Sequence, residues 1–181
     1  LASAQEPARP GRPPDEVTLD KKALDMTVYD QDGHQLRFYS DLVKDKTVAI
    51  NFIFTSCTTI CPPLAATFAR VQKEMGEKVG RDVFFISISV DPVTDTPERL
   101  KAWGAKFNAG AGWTFVTGAK ADIDQLMAAL GSSIARPENH SPMVLIGNER
   151  AGYWTRAYGL SPPNRLVQTI EAARSRSVAK P

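Results

Sequence analysis

Two runs rich in apolar residues constrain the fold of this chain more than any other feature of its sequence. Residues 47–55 read Thr-Val-Ala-Ile-Asn-Phe-Ile-Phe-Thr, and residues 82–90 read Asp-Val-Phe-Phe-Ile-Ser-Ile-Ser-Val. Near-continuous runs of β-branched and aromatic residues are typical of strands buried on both faces of a parallel sheet. We therefore expect a layered α/β domain with helices on both faces of its sheet.

Helical patterns separate these runs from each other and from shorter strands. Apolar residues recur at intervals of three and four over residues 64–79, and Thr96–Pro97 predicts the capped start of a second helix. Further helices are predicted over residues 121–130 and 163–175, a helical turn over 40–42, and strands over 24–29, 35–38, 113–116, 142–146 and 153–158. A closing antiparallel pair after parallel strands is the thioredoxin pattern. The prediction is a thioredoxin-like fold: a central mixed sheet flanked by helices, with an N-terminal β-hairpin extension.

The chain of 181 residues fits one domain. Residues 17–176 are the predicted thioredoxin-like domain, and residues 177–181 a C-terminal tail. Residues 1–16 are rich in proline and poor in apolar groups, which predicts a flexible tether or the remnant of a signal peptide, since the chain begins Leu-Ala-Ser-Ala rather than with Met. The net charge of +2 is spread without a basic stripe, so no nucleic-acid partner is expected.

The chain has two cysteines, Cys57 and Cys61, placed where the first buried strand leads into its helix. Open α/β sheets place their sites at this end of a strand. Residues four apart in a helical turn share a face, and a helix N-terminus favours thiolate over thiol. The pair could therefore form a redox dithiol or share one metal ion. The alternative is a pair of buried, inert cysteines.

His140 precedes the late strand at residues 142–146, and a thioredoxin-like layout returns that loop to the cysteines. Two thiolates and one imidazole suit Cu(I), with Cu(II) or Zn(II) possible. By itself, however, a single loop histidine is more often a surface or hydrogen-bonded residue. Asp91 and Asp95 could support the ligands or shape the loop beside the site, although a turn and a helix cap are the simpler interpretation. His34 is expected to be a solvated hairpin residue, and Met143 a core residue of its strand.

Three stretches of the sequence resemble the Sco (SenC) family, the copper-insertion proteins of cytochrome c oxidase. They are residues 51–62 with Cys57-x-x-x-Cys61-Pro, residues 87–97 with Asp-Pro-x-x-Asp-Thr-Pro, and His140-Ser before residues 144–146. Their order and spacing agree over residues 28–173. The resemblance implies a thioredoxin fold that binds copper, as Cu(I), Cu(II) or both, through Cys57, Cys61 and His140.

The same resemblance implies partners and a location. The copper acceptor would be the dinuclear copper site of cytochrome c oxidase subunit II, and a copper donor or a thiol reductant protein would be a further partner. The protein would reside in the bacterial periplasm or an equivalent exported compartment. It would be tethered to the inner membrane only through an N-terminal anchor that this sequence lacks.

The chain departs from the family at two places, and three function classes remain open. Residues 58–60 are Thr-Thr-Ile, where many members have proline or an acidic residue, and Asn139 stands where many have an aspartate that would orient the imidazole. The first class is a copper metallochaperone. The second is a thiol–disulfide oxidoreductase acting on cysteines of the oxidase subunit or other exported proteins. The third is a redox or copper-responsive signalling module. His140 discriminates the first from the second, because exchange needs no imidazole there.

Overall fold

A computed structural model describes residues 16–132 and 142–177. Its strands are β1 (Thr27–Asp30), β2 (Gln35–Arg37), β3 (Thr47–Ile53), β4 (Val83–Ser89), β5 (Trp113–Thr117), β6 (Met143–Asn148) and β7 (Tyr153–Tyr158). They form one mixed sheet in the order β2-β1-β5-β4-β3-β6-β7. Strands β3, β4 and β5 are mutually parallel, and the β1–β2 hairpin and the β6–β7 pair extend the sheet antiparallel on either side. This is the predicted thioredoxin-like arrangement with its N-terminal hairpin.

The helices follow the predicted order, with one addition at the start. They are α1 (Lys21–Leu24), α2 (Cys61–Met75), α3 (Pro97–Lys106), α4 (Lys120–Ala129) and α5 (Pro163–Arg174), with a π-helical segment at Phe38–Val43 and 3-10 turns at Gly76–Lys78 and Glu149–Ala151. The prediction of a strand from Leu24 is wrong, because the Asp20 carboxylate caps α1 by accepting from the N–H groups of Lys22 and Ala23. The strand therefore begins only at Thr27.

Strand β3 lies inside the sheet, between β4 and β6, and all seven of its residues are buried. One face of the sheet packs against α2, α3 and α5, with Ala49 and Ile53 of β3 contributing to that cluster. The other face packs against α1, the π-helical segment and α4, with Ile50 and Phe52 contributing. Full burial of each such aliphatic or aromatic side chain contributes about 1.5–3 kcal/mol. Burial on both faces explains why the sequence of β3 shows no polar alternation.

The C-terminal ends of β3 and β4 share one edge of the sheet with the start of β6. The Val90 N–H donates to the Ile53 carbonyl at 2.8 Å. Strand β6 pairs antiparallel with β3 in the register Ile50↔Leu145, and continuing this register by three residues sets Pro142 beside Ile53. The chain therefore returns from residue 141 to the edge where β3 leads into the cysteine segment.

The first described residue, Glu16, pairs with the outer strand β7 through an antiparallel bridge to Thr155. Glu16 is also the last residue assigned to the predicted tether. The other residues of that tether lie outside the described range. On β7 itself Trp154 is buried while Tyr158 is 60% exposed at the strand's end. Within the described residues no helix is both long enough and apolar enough to cross a membrane.

Candidate dithiol site at the end of strand β3

Residues 54–60 form the loop that joins β3 to α2, and this loop carries Cys57. The Cys57 N–H donates to the Phe54 carbonyl at 3.1 Å, which closes a turn. Helix α2 begins at Cys61, after Ile60. The expectation that both cysteines lie on one helical turn is therefore wrong. Cys57 lies outside the helix, and a different interaction brings the two residues together.

That interaction is a hydrogen bond from the first N–H of helix α2 to the Cys57 sulfur. The Cys61 N–H lies 3.3 Å from Cys57 Sγ. The next two helical residues, Pro62 and Pro63, have no N–H, and the Leu64 N–H is already bonded to the Ile60 carbonyl at 3.1 Å. Of the N–H groups in the first turn of α2, the one on Cys61 is therefore the donor to the Cys57 sulfur. The partial positive charge at the N-terminus of α2 therefore acts on the Cys57 sulfur through this hydrogen bond.

The two thiols differ in acidity because their surroundings differ. Burial acts to raise the pKa of Cys57, but hydrogen bonds from Cys61 and Thr59 outweigh burial and leave that pKa below its ordinary value. Burial raises the pKa of Cys61 far above its ordinary value, and the nearby Cys57 and Asp95 add to this increase. Cys57 is therefore the better nucleophile and the first of the pair to become thiolate.

The two cysteines also differ in burial, and Cys57, the more acidic of the two, is the less buried. Cys57 is 6% exposed and Cys61 is 0% exposed, and both are free thiols. The Thr59 hydroxyl lies 3.8 Å from Cys57 Sγ on the loop that leads to α2. Both residues are therefore buried, and Cys57 is the less completely buried of the two.

A buried carboxylate, Asp95, holds the loop on which Cys57 lies. It accepts from the Thr55 N–H at 3.1 Å and from the Ser89 hydroxyl at 2.7 Å, and the Thr55 hydroxyl also donates to it. Arg99 lies 3.8 Å from the same carboxylate and donates to the Thr55 hydroxyl at 3.1 Å. Asp95 thus ties the end of β4 and the start of α3 to the residue two positions before Cys57.

The other predicted acidic residue, Asp91, acts through its backbone. Its carbonyl accepts from the N–H groups of Thr94 and Asp95 at 3.1 and 2.9 Å, which closes the turn between β4 and α3. The Asp91 side chain makes no hydrogen bond or ion pair with the residues that the structure describes. The helix cap is the neighbouring Thr96, whose hydroxyl accepts from the Arg99 N–H as predicted.

The chain has two histidines, and the structure describes one of them, His34. His140 lies outside the described residues, so its predicted role as a ligand stays a prediction. His34 lies on the β1–β2 hairpin, at the opposite edge of the sheet, where its exposed ring contacts Asp30 at 3.0 Å. Asp30, Asp32 and His34 form a cluster in which Asp30 is half-buried and the other two are exposed, and Lys101 Nζ lies 2.8 Å from the Asp32 carboxylate.

Sequence reasoning missed Thr55, Ser89 and Arg99 as supports of the site. Their side chains meet at Asp95, although Thr55 and Asp95 are 40 residues apart in the chain. The only sequence sign was the position of Thr55 and Ser89 at the ends of two predicted buried strands, since such ends meet on one side of a parallel sheet. Arg99 lies on α3 and had no such sign.

A thioredoxin-like sheet with two unequal thiols in a Cys-x-x-x-Cys pair after the C-terminal end of β3 defines a thioredoxin-fold dithiol protein. The SCO1/SenC family model matches residues 19–174. The chain therefore belongs to the SCO1/SenC family.

Individual relatives agree with this assignment. The chain is 33% identical over 130 residues to the SCO1 protein homolog of Bacillus subtilis, a match that covers 70% of this chain and 65% of that relative. The chain thus spans just under two thirds of that relative's length. Among solved structures, a SCO1/SenC family lipoprotein from Bacillus anthracis has 30% identity and a TM-score of 0.73, covering 87% of this chain and 96% of that one.

Two further solved structures are similar. BsSco, described as a member of the Sco family of cytochrome c oxidase assembly proteins with a disulfide switch, has 27% identity and a TM-score of 0.70, covering 83% of this chain and 92% of its own. Bradyrhizobium japonicum ScoI, solved with copper bound, has 20% identity and a TM-score of 0.68, covering 82% and 96% of the two chains. The second likeness establishes the shared fold.

Proposed function

We propose that this protein binds one copper ion through Cys57 and Cys61, with His140 as the third ligand, and delivers it to the dinuclear copper site of cytochrome c oxidase subunit II. The observation that carries the proposal is the contact between the two cysteines at the start of α2. There the Cys61 N–H donates a hydrogen bond to the Cys57 sulfur. Thiolates are the ligands that Cu(I) prefers. Membership of the SCO1/SenC family and the copper-bound ScoI structure support the same proposal.

The donor set suits both oxidation states of copper. Two thiolates leave Cu(I) with a net charge of −1 and Cu(II) with a net charge of zero, so neither state places a large charge in this buried site. An imidazole nitrogen adds the donor that Cu(II) favours. The bound ion would be cargo, and its release would begin at Cys57, the less completely buried of the two cysteines.

The location and the tether belong to the same proposal. One of the similar solved structures is that of a SCO1/SenC family lipoprotein. This similarity supports an exported protein held at the inner membrane through an N-terminal anchor. Residues 1–16 would be the tether. A copper donor and a thiol reductant that keeps the pair reduced would be its further partners.

A titration of the reduced protein with Cu(I), competed against a chelator, tests the ligand set. One copper per chain is expected, and the Cys57→Ser, Cys61→Ser double variant should lose tight binding. His140→Ala should weaken Cu(I) binding and lose most Cu(II) affinity together with its charge-transfer spectrum. His34→Ala is the matched control, because its ring lies at the opposite edge of the sheet and should leave copper binding unchanged. Parent-like Cu(II) binding by His140→Ala would refute the third ligand.

Thiol–disulfide exchange is the second candidate, and the unequal acidity of the two thiols favours it. The more acidic Cys57 can attack a disulfide, while the fully buried Cys61 can resolve the mixed disulfide by attacking Cys57. The products would be a Cys57–Cys61 disulfide and a reduced partner. Reduction of an oxidised subunit II peptide at equal rates by the parent and by His140→Ala, together with copper binding that does not depend on His140, would favour this function over copper delivery.

A further inference from the structure

Two exposed apolar side chains lie at the turn that joins β7 to α5. Tyr158, the last residue of β7, is 60% exposed, and Leu160 is 43% exposed. The Ser161 N–H donates to the Tyr158 carbonyl at 3.0 Å, which closes the turn that carries Leu160. Single exposed apolar residues are common on protein surfaces, whereas neighbouring ones on a closed turn indicate a contact surface.

A cleft of about 640 Å³ borders this turn, between β7 and α5. Arg156 lines it from β7 and Arg165 lines it from α5, and the described residues of its lining include no Asp or Glu. Both arginines are exposed, and their side chains make no ion pair or hydrogen bond with any residue that the structure describes. Their guanidinium groups are therefore available to an anionic ligand.

The sequence around the cleft is poor in acidic residues. Residues 150–170 contain three arginines and no Asp or Glu. Glu171, the next acidic residue, already accepts from Lys78 at 2.9 Å and from Arg174 at 2.8 Å. Glu16 bridges to β7 but does not line the cleft. The end of β7 and the start of α5 therefore carry more positive than negative charge.

We propose that the surface formed by Arg156, Tyr158, Leu160 and Arg165 docks the domain on an anionic phospholipid membrane. The arginines bind lipid phosphates, because a guanidinium presents parallel N–H donors to phosphate oxygens. The tyrosine ring and the leucine enter the boundary between headgroups and acyl chains, where amphipathic rings are enriched. A soluble anion would need the arginines alone, so the neighbouring apolar side chains favour a membrane.

Docking through this surface brings the dithiol end of the domain to the membrane. Tyr158 pairs with Met143 at the start of β6, and β6 runs antiparallel to β3. The end of β7 therefore lies at the same edge of the sheet as the end of β3, which leads to Cys57. The inference is independent of the proposed copper function, because none of the four residues is a proposed ligand.

Co-sedimentation of the 181-residue protein with lipid vesicles tests the inference. Vesicles of equal parts phosphatidylglycerol and phosphatidylcholine should bind the parent at low salt, and vesicles of phosphatidylcholine alone should not. The Arg156→Gln, Arg165→Gln variant should bind about tenfold more weakly or worse, since each basic residue near an anionic surface strengthens binding about fivefold. Parent-like vesicle binding by this variant would overturn the inference.

Lys44→Gln, Arg81→Gln is the matched control, because it removes the same charge from the other end of the sheet. Lys44 precedes β3 and Arg81 precedes β4, and both are exposed. This variant should keep the parent's affinity for the phosphatidylglycerol vesicles. An equal loss in the control would show that net charge, rather than this surface, attracts the protein, and would overturn the inference.

Tyr158→Ser, Leu160→Ser distinguishes a membrane from other anions. Its vesicle affinity should fall about fivefold or more, because the apolar side chains no longer enter the lipid. Its binding to poly-glutamate and to inorganic phosphate should equal that of the parent, and its melting temperature should stay close to the parent's, since both positions are exposed. Unchanged vesicle binding would show that the arginines attract any anion, an acidic protein or free phosphate included, and would overturn the assignment to a membrane.

Discussion

At the scale of single residues, Cys57 and Cys61 are four positions apart in the chain, yet their thiols differ in acidity. Cys57 has the helix N–H and the Thr59 hydroxyl at its sulfur. Cys61 is fully buried beside the Asp95 charge, and both conditions favour its neutral form. The hydrogen-bond donors around each sulfur therefore decide which thiol reacts first.

Alkylation should follow this difference. A lowered pKa means more thiolate at a given pH, so the rate of carbamidomethylation of Cys57 should rise at a lower pH than that of an ordinary cysteine. Cys61 should stay unmodified over the same range, because its raised pKa keeps it a thiol. Tandem mass spectrometry of the native, reduced protein after short exposure to iodoacetamide at a series of pH values measures both. The protein unfolded in urea is the control, and its cysteines should react alike. Preferential labelling of Cys61 would contradict the assignment.

At the scale of secondary-structure elements, the Cys57 loop depends on the connection between β4 and α3. Asp95 bonds to Thr55 across the sheet edge, and Thr96 next to it caps α3. The loop before α2 is therefore held by a carboxylate from another connection. Thr55, two residues after the end of β3, is thus held by a residue 40 positions later in the chain.

Asp95→Asn should lower the free energy of unfolding by about 2–4 kcal/mol. An amide presents N–H groups towards donors that need an acceptor, and hydrogen bonds to a charged group contribute about 1.5–3 kcal/mol each. Urea denaturation followed by tryptophan fluorescence measures the loss. Asp91→Asn is the matched control, since the Asp91 side chain has no hydrogen-bond or ion-pair partner among the described residues, and its effect should stay within about 0.5 kcal/mol. Equal effects of the two substitutions would show that the Asp95 network does not stabilise the fold.

At the scale of the whole molecule, a second buried carboxylate joins the two ends of the domain away from the dithiol. The Glu149 side chain is 4% exposed and lies 2.6 Å from Lys21 Nζ. It accepts from the Tyr39 hydroxyl at 2.7 Å and from Trp154 Nε1 at 3.0 Å. Glu149 thus links α1 and the π-helical segment to β7, across a chain separation of more than one hundred positions.

Glu149→Ala should destabilise the fold by about 3 kcal/mol without changing copper binding. The substitution leaves the Tyr39 and Trp154 donors without their acceptor, and each buried unsatisfied donor costs about 1–3 kcal/mol. Thermal unfolding and a Cu(I) titration are the two measurements. Glu74→Ala, an exposed position on α2, is the control and should leave the melting temperature nearly unchanged. A change in copper stoichiometry would contradict the separation of this carboxylate from the site.

The sequence alone determined the features that depend on local pattern. The two runs rich in apolar residues predicted β3 and β4, because strands buried on both faces have no solvent side that would require charged or strongly polar residues. Thr96–Pro97 predicted the start of α3, because capping needs only neighbouring residues. The positions of Cys57 and Cys61 followed from the same local reading, since both flank the strand-to-helix junction.

Only the tertiary structure decided what depends on residues distant in the chain. It placed Cys57 outside the helix and showed that prolines leave one N–H for its sulfur, so the thiols are unequal. It brought Asp95 under the loop, where the sequence could show only a turn and a cap. It set Gly159 between Pro142 and Leu64, a crowding that no local pattern reveals. Each of these features arises where segments far apart in sequence share one edge of a sheet, and the order of the strands determines which segments meet there.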